Sequence, residues 1–98
     1  MKVQWSPLAV TRLEDIVDYI ALDSPEIARR WAEKIFEAVG KLKDAPQIGR
    51  KVSEIERDDI RELILGNYRI IYRVGVSIIS ILTVRHGKQL LPDEELEE

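Results

Sequence analysis

The chain has 98 residues, with 15 Lys and Arg against 18 Asp and Glu, no Cys and one His, for a net charge of −3. That length holds one modest core, so most apolar side chains are committed to packing. The composition excludes low-complexity disorder, disulfide frameworks, thiolate zinc sites and Cys nucleophiles. No apolar run reaches the roughly 20 residues of a membrane span, and MKVQWSP is no signal peptide, so a cytoplasmic location and no membrane partner are expected.

Lys2 to Trp5 is a short strand candidate with Val3 and Trp5 on one face. Ser6-Pro7 then signals a helix start: a hydroxyl to cap a free N–H, and a proline at the first helical position. Ala9, Leu13, Ile16, Val17 and Ile20 form its apolar stripe, and the helix should end near Ala21–Leu22. Ser24-Pro25 repeats the start signal. Ala28, Trp31, Ala32, Ile35, Val39 and Leu42 form a second stripe, with Gly40 expected to loosen its last turn. So short a link predicts an antiparallel helical hairpin.

Residues 47–59 carry no clear period and read as a loop, with a short strand near Val52. Ile60 to Leu65 reads as a strand and Gly66-Asn67 as a tight turn permitting positive φ. Tyr68 to Val74 and Ser77 to Arg85 complete a three-stranded antiparallel meander. The expected fold is α+β in the order β-α-α-β-β-β. Its antiparallel sheet, the meander plus the N-terminal strand, carries the helical hairpin on one face.

The charges are segregated. Residues 93–98, DEELEE, hold five acids and no base; residues 1–92 hold 15 bases and 13 acids. Residues 63–92 contain no acid but carry Arg69, Arg73, Arg85, His86 and Lys88. The chain therefore divides into one mildly basic domain, residues 1–92, and an acidic tail, residues 93–98. The tail is expected to be a solvated end, or else a screen for the basic strands and a mimic of an acidic partner.

Side-chain alternation sets Arg69 and Arg73 opposite Tyr68 and Tyr72. With Arg61 and Arg85 on neighbouring strands, four guanidinium groups can gather on one sheet face and bind phosphate or carboxylate. A plainly charged, solvated outer face accounts for the same pattern. Gly49-Arg50-Lys51 adds two bases but no phosphate-cradling loop. His86 can serve as a general acid or base. With no second His and no adjacent carboxylate, no metal site is expected. Neither the metal question nor any other feature calls for a cofactor. Ser77, Ser80 and Thr83 lack a nucleophile elbow.

Six segments together carry a family resemblance over nearly the full length: VQWSPLAVTRLEDIVDYIA at 3–21, SPEIARRW at 24–31, APQIGRKV at 45–52, IREL at 60–63, NYRIIYRV at 67–74 and ILTVRHGK at 81–88. In their order and spacing the chain resembles a RelE/ParE-superfamily toxin of a type II toxin–antitoxin system. The resemblance implies a toxin neutralised by a cognate antitoxin whose C-terminal segment folds around it. Operator DNA would be contacted only through the antitoxin. The superfamily splits between mRNA cleavage in the ribosomal A site and poisoning of DNA gyrase.

For cleavage, Arg69 matches the family's strand Arg and His86 a position used by some members, so these two are the candidate catalytic residues. The wider set for target or phosphate binding is Arg61, Arg69, Arg73, Arg85, His86, Lys88, Arg50 and Lys51. Departures favour the gyrase-binding, ParE-like branch. The Lys-rich loop of the nucleases is reduced to Arg50-Lys51, no catalytic Tyr or His follows His86, Gln89 replaces a common Arg, and the chain is acidic overall. Ribosome-dependent RNA cleavage stays as the alternative. A further one is a catalytically silent binding module serving plasmid or genomic-island stability.

Overall fold

A computed structural model describes residues 1–87 and 91–96. Strand β1 (Lys2–Trp5) leads into α1 (Pro7–Ala21) and α2 (Pro25–Gly40), followed by a 3-10 turn at Lys41–Lys43. Four strands complete the sheet: β2 (Arg50–Lys51), β3 (Ile60–Leu65), β4 (Tyr68–Val74) and β5 (Ile78–His86). A second 3-10 turn spans Asp93–Leu96.

Both helix starts follow the local chemistry. The Ser6 hydroxyl accepts from Ala9 N–H at 3.0 Å, and Ser24 from Ile27 N–H at 3.2 Å. Each cap is worth about 1 kcal/mol. Ser6 also donates to the Leu82 carbonyl at 2.9 Å, which pins the start of α1 to β5. Gly40 closes α2, and the chain continues in the 3-10 turn with Leu42 fully buried.

The sheet order is β1-β5-β4-β3-β2. The meander β3-β4-β5 is antiparallel, as expected. At its first turn only Gly66 takes positive φ, at +59°. The N-terminal strand departs from the all-antiparallel expectation. β1 runs parallel to β5, with Lys2 opposite Ile78 and Trp5 opposite Ile81. The helical hairpin between β1 and the meander supplies the long crossover that a parallel pair requires. The short strand expected near Val52 is β2, two residues earlier, paired antiparallel to β3.

The main core lies between hairpin and sheet. Ala9, Leu13, Ile35, Val39 and Leu42 meet Ile70, Tyr72, Ile79, Ile81 and Val84. Trp31, expected in the core, is half-buried and meets Tyr68 edge-on at 5.1 Å. Trp5 packs against Phe36 at 5.7 Å.

The outer sheet face is not simply charged and solvated. A second, smaller core of Val52, Ile60, Ile71, Leu82 and Leu96 covers part of it, with Ile55 and Leu91 alongside. Residues 93–96 are therefore no solvated end: Glu95 and Leu96 are buried. A register shift in the β4–β5 ladder makes this possible. Ile71 faces Thr83 while Tyr72 faces Ile81, so Leu82 is an extra residue in β5. Such a bulge shifts the alternation by one. Ile81 and Val84 both enter the main core, while Leu82, Thr83 and Arg85 turn outward.

Tyr72 anchors the 46–50 segment. Its hydroxyl donates to the Pro46 carbonyl and accepts from Gly49 N–H, both at 2.9 Å. A Cβ on Gly49 would lie 2.5 Å from that hydroxyl and 2.7 Å from the Glu62 carbonyl oxygen. Gly49→Ala should therefore destabilise the fold by about 1–3 kcal/mol, read as a lower urea midpoint. Gly40→Ala meets nothing within 4 Å and should not lower it.

Candidate functional site

A cleft of about 430 Å³ opens at the end of the sheet where β3 turns into β4 and β5 finishes. Arg50, Glu54, Glu62, Tyr68, Arg69 and His86 are among its walls. Arg69, the strand arginine singled out from the sequence, is almost fully buried. Its guanidinium is engaged on three sides. Nε donates to Glu62 Oε1 at 2.6 Å, Nη1 to Glu54 Oε2 at 2.9 Å, and Nη2 to Glu54 Oε1 at 2.7 Å. This is a two-pronged carboxylate fork plus a second carboxylate. The other oxygen of Glu62 accepts from Arg50 Nε at 2.9 Å.

These pairs set the protonation states. The hydrogen bond from Arg69 outweighs desolvation and holds the Glu54 carboxyl below its usual range. The same Glu54 bond, against burial and with Glu62 adding to it, raises Arg69 further. His86 ends β5 opposite Tyr68, and the two rings meet edge-on at 5.6 Å. His86 thus reaches the cleft from the helix side of the sheet, while Arg69 reaches it from the outer side.

Three residues of the sequence-derived set, Arg50, Arg69 and His86, share this cleft. The four-arginine cluster does not form. Arg61 takes the helix-side face of β3, beside Leu63 and Leu65, and its Nη1 donates to the Gly49 carbonyl at 2.9 Å. Alternation explains the correction, because Glu62 and not Arg61 occupies the outer face. Arg73 lies toward the opposite end of the sheet, in a separate recess with Gln4, Ser77 and Ser80. Lys51 pairs with Asp58 at 2.8 Å on the surface. Lys88 lies outside the described residues.

Arg85 stands directly across the ladder from Arg69. Its partner is Glu95, which also accepts from Arg12 Nη2 at 2.9 Å and Thr83 Oγ1 at 2.7 Å. Burial pushes the Glu95 carboxyl up, but the bonds from Thr83, Arg85 and Arg12 prevail and its pKa falls below the usual range.

The residues missed from the sequence are the acids: Glu54, Glu62 and Glu95. The available signal was Glu62 itself, an acid inside the otherwise apolar strand IRELIL, where an unpaired charge is costly. The cleft is therefore not an open cationic trap. Arg50 and Arg69 are balanced by Glu54 and Glu62, and a phosphate would have to displace a carboxylate to reach the Arg69 fork.

Removing one partner of a buried pair costs about 3–5 kcal/mol. Glu62→Gln should lose that much in urea denaturation, and Glu54→Gln, which is more exposed, clearly less. The lowered carboxyls of Glu54 and Glu95 bind protons more weakly in the folded state. Their stabilisation is complete above about pH 4.5, their unperturbed value, and is lost as pH falls through the folded-state pKa. Stability followed from pH 7 to pH 3 should drop more steeply for the unaltered chain than for Glu54→Gln.

Comparison with known proteins adds to this geometry. A family model described as the ParE toxin of the type II toxin–antitoxin system, parDE, matches residues 3–91. The chain is 37% identical over 93 residues to the putative toxin Y4kP of Sinorhizobium fredii, covering 93% of each. It is 32% identical over 90 residues to Toxin RelE2 of Caulobacter vibrioides, covering 91% of this chain and 98% of the other. Among solved structures it resembles a chain of the chromosomal ParDE system from P. aeruginosa. The TM-score is 0.72 at 28% identity, over 88% of this chain and 95% of that one. The RelBE2 toxin–antitoxin complex of Mycobacterium tuberculosis shares the fold, with a TM-score of 0.58 at 23% identity over 87% and 95% of the two chains.

Proposed function

The chain belongs to the ParE toxin family of type II toxin–antitoxin systems, and on that premise we propose that it arrests growth by binding DNA gyrase rather than by cutting RNA. The observation carrying this reading is the state of Arg69. General acid–base cleavage of RNA needs free cationic donors aimed at the developing phosphorane. Here all three nitrogens of the Arg69 guanidinium already donate to Glu54 and Glu62. A toxin that acts by occupying a protein target needs no such donors. The likeness to a ParDE chain supports the same branch.

A cognate antitoxin is the proposed neutralising partner, supported by the ParDE and RelBE2 assemblies that the chain resembles. Operator DNA would be reached through that antitoxin. RNA cleavage on the ribosome is kept as a second reading on one specific observation: Arg69 and His86 line the same cleft. The relative named Toxin RelE2 points the same way. A silent binding module would show neither activity.

The purified toxin should inhibit gyrase supercoiling or trap cleaved DNA, and addition of its antitoxin should reverse the effect. No inhibition at a large molar excess over gyrase would remove this reading. Primer extension after induction separates the second: codon-linked cuts lost in Arg69→Ala with His86→Ala would establish cleavage, and intact mRNA in arrested cells would exclude it.

A further inference from the structure

The two edges of the sheet differ in how they are protected. At one edge, β2 is two residues long and both are cationic, Arg50 and Lys51. A short, charged edge strand resists further pairing. At the other edge, β1 is four residues long and pairs only with β5 among the described residues. Its sequence, KVQW, holds no proline or glycine, and its one charge, Lys2, stands at the end. The usual devices that blunt an edge are missing from it.

The bonds to β5 fix which groups of β1 face away from the sheet. Lys2 N–H donates to the Ser77 carbonyl at 3.2 Å, and Ser6 N–H to the Ile81 carbonyl at 2.9 Å. Backbone groups alternate along a strand, so Val3 and Trp5 turn theirs to the free edge. Their side chains lie on the helix side, half-buried against the main core. Gln4 projects from the outer side and is exposed. Trp5 also touches Phe36, which is 53% exposed. The free edge is therefore rimmed by apolar surface on the helix side.

This pattern is complementary to itself. In an antiparallel pair about a two-fold axis perpendicular to the sheet, residues opposite one another share a face. With Gln4 on the axis, Val3 lies opposite Trp5 of the second copy, and Trp5 opposite its Val3. All four residues point their backbone groups across the junction, so each pair exchanges two hydrogen bonds. An aromatic residue against a β-branched one is a favoured cross-strand pair, and the two Trp5 rings lie diagonally within reach. Lys2 falls opposite Ser6, so no like charges meet. The neighbouring register, with Val3 on the axis, would need Met1, whose nitrogen already donates to the Lys43 carbonyl at 3.0 Å.

We propose that a second copy of this chain docks on the free edge of β1, antiparallel, with Gln4 on the two-fold axis. The two sheets join into one, with both helical hairpins on the same face. The contact is isologous and closes on itself. It is short, so association depends on concentration. The cleft lies at the other end of β5 from this edge, and the inference holds whichever macromolecule the toxin attacks.

The chain has no cysteine, so one introduced thiol reports the register. Facing residues of a non-hydrogen-bonded antiparallel pair have Cα atoms about 4.5 Å apart, within disulfide range. Gln4→Cys should therefore crosslink into a dimer in a glutathione redox buffer. Lys2→Cys, exposed on the same face, would lie about 13 Å along the strand from its counterpart and should crosslink at least about tenfold more slowly. Sedimentation of the unaltered chain should show a mass rising from monomer toward dimer between about 1 μM and about 1 mM. Val3→Pro removes an N–H that faces the free edge and should abolish that rise. Equal crosslinking rates, a monomer mass throughout, or a dimer that persists in folded Val3→Pro overturns the proposal. If Val3→Pro proves unfolded by circular dichroism, the two cysteine variants and the sedimentation of the unaltered chain decide.

Discussion

Arg69 and Arg85 face one another across neighbouring strands, and much of the outer half of the molecule answers that like-charge pair. Two cations in register on a sheet are destabilising unless compensated. Glu62 reaches Arg69 from β3, and Glu54 reaches it from the loop that follows β2. Arg85 draws Glu95 from a turn beyond the last strand. Each acid brings apolar company. Val52 and Ile55 flank Glu54, Leu96 follows Glu95, and together they build the second core over the sheet. Charge compensation and apolar burial thus fold the same two segments onto the same face.

This changes the meaning of the acid-free stretch between Leu63 and Pro92. In one dimension it reads as a basic patch. In three dimensions two of its arginines are neutralised by carboxylates from outside it. A ribonuclease would need those guanidinium groups for a phosphate, whereas a toxin that grips a protein can spend them on its own architecture. The same fold hosts both modes of action.

The elements legible in the sequence are those with local causes. Ser6-Pro7 and Ser24-Pro25 set the helix starts, and Gly66-Asn67 with its flanking alternation sets the meander. What escaped depends on distant partners. Nothing in KVQW states that it will lie parallel to β5. In IRELIL, apolar residues occupy both alternating faces, so alternation alone does not say which side faces outward, and Arg61 lies on the helix side instead. The bulge at Leu82 inverts the alternation beyond it, and no local motif marks it. Arg69 and His86 were found as residue types, but the acids that occupy Arg69 lie 7 and 15 positions away, beyond any short pattern.

The parallel pairing of β1 with β5 has a consequence for how the protein is made. Ser6 and Leu82, joined by a hydrogen bond, are 76 residues apart in the chain. Strand β1 is made before the other four strands yet is among the last to find its place, because β5, its neighbour in the sheet, is made after all of them. The helical hairpin, built from local contacts, can form early. Its apolar stripe must then wait for the sheet that will cover it. Long-range closure of this kind is slow. A growing chain therefore passes through a period in which the hairpin exists but the functional face does not, and the molecule acquires its surface in one late step.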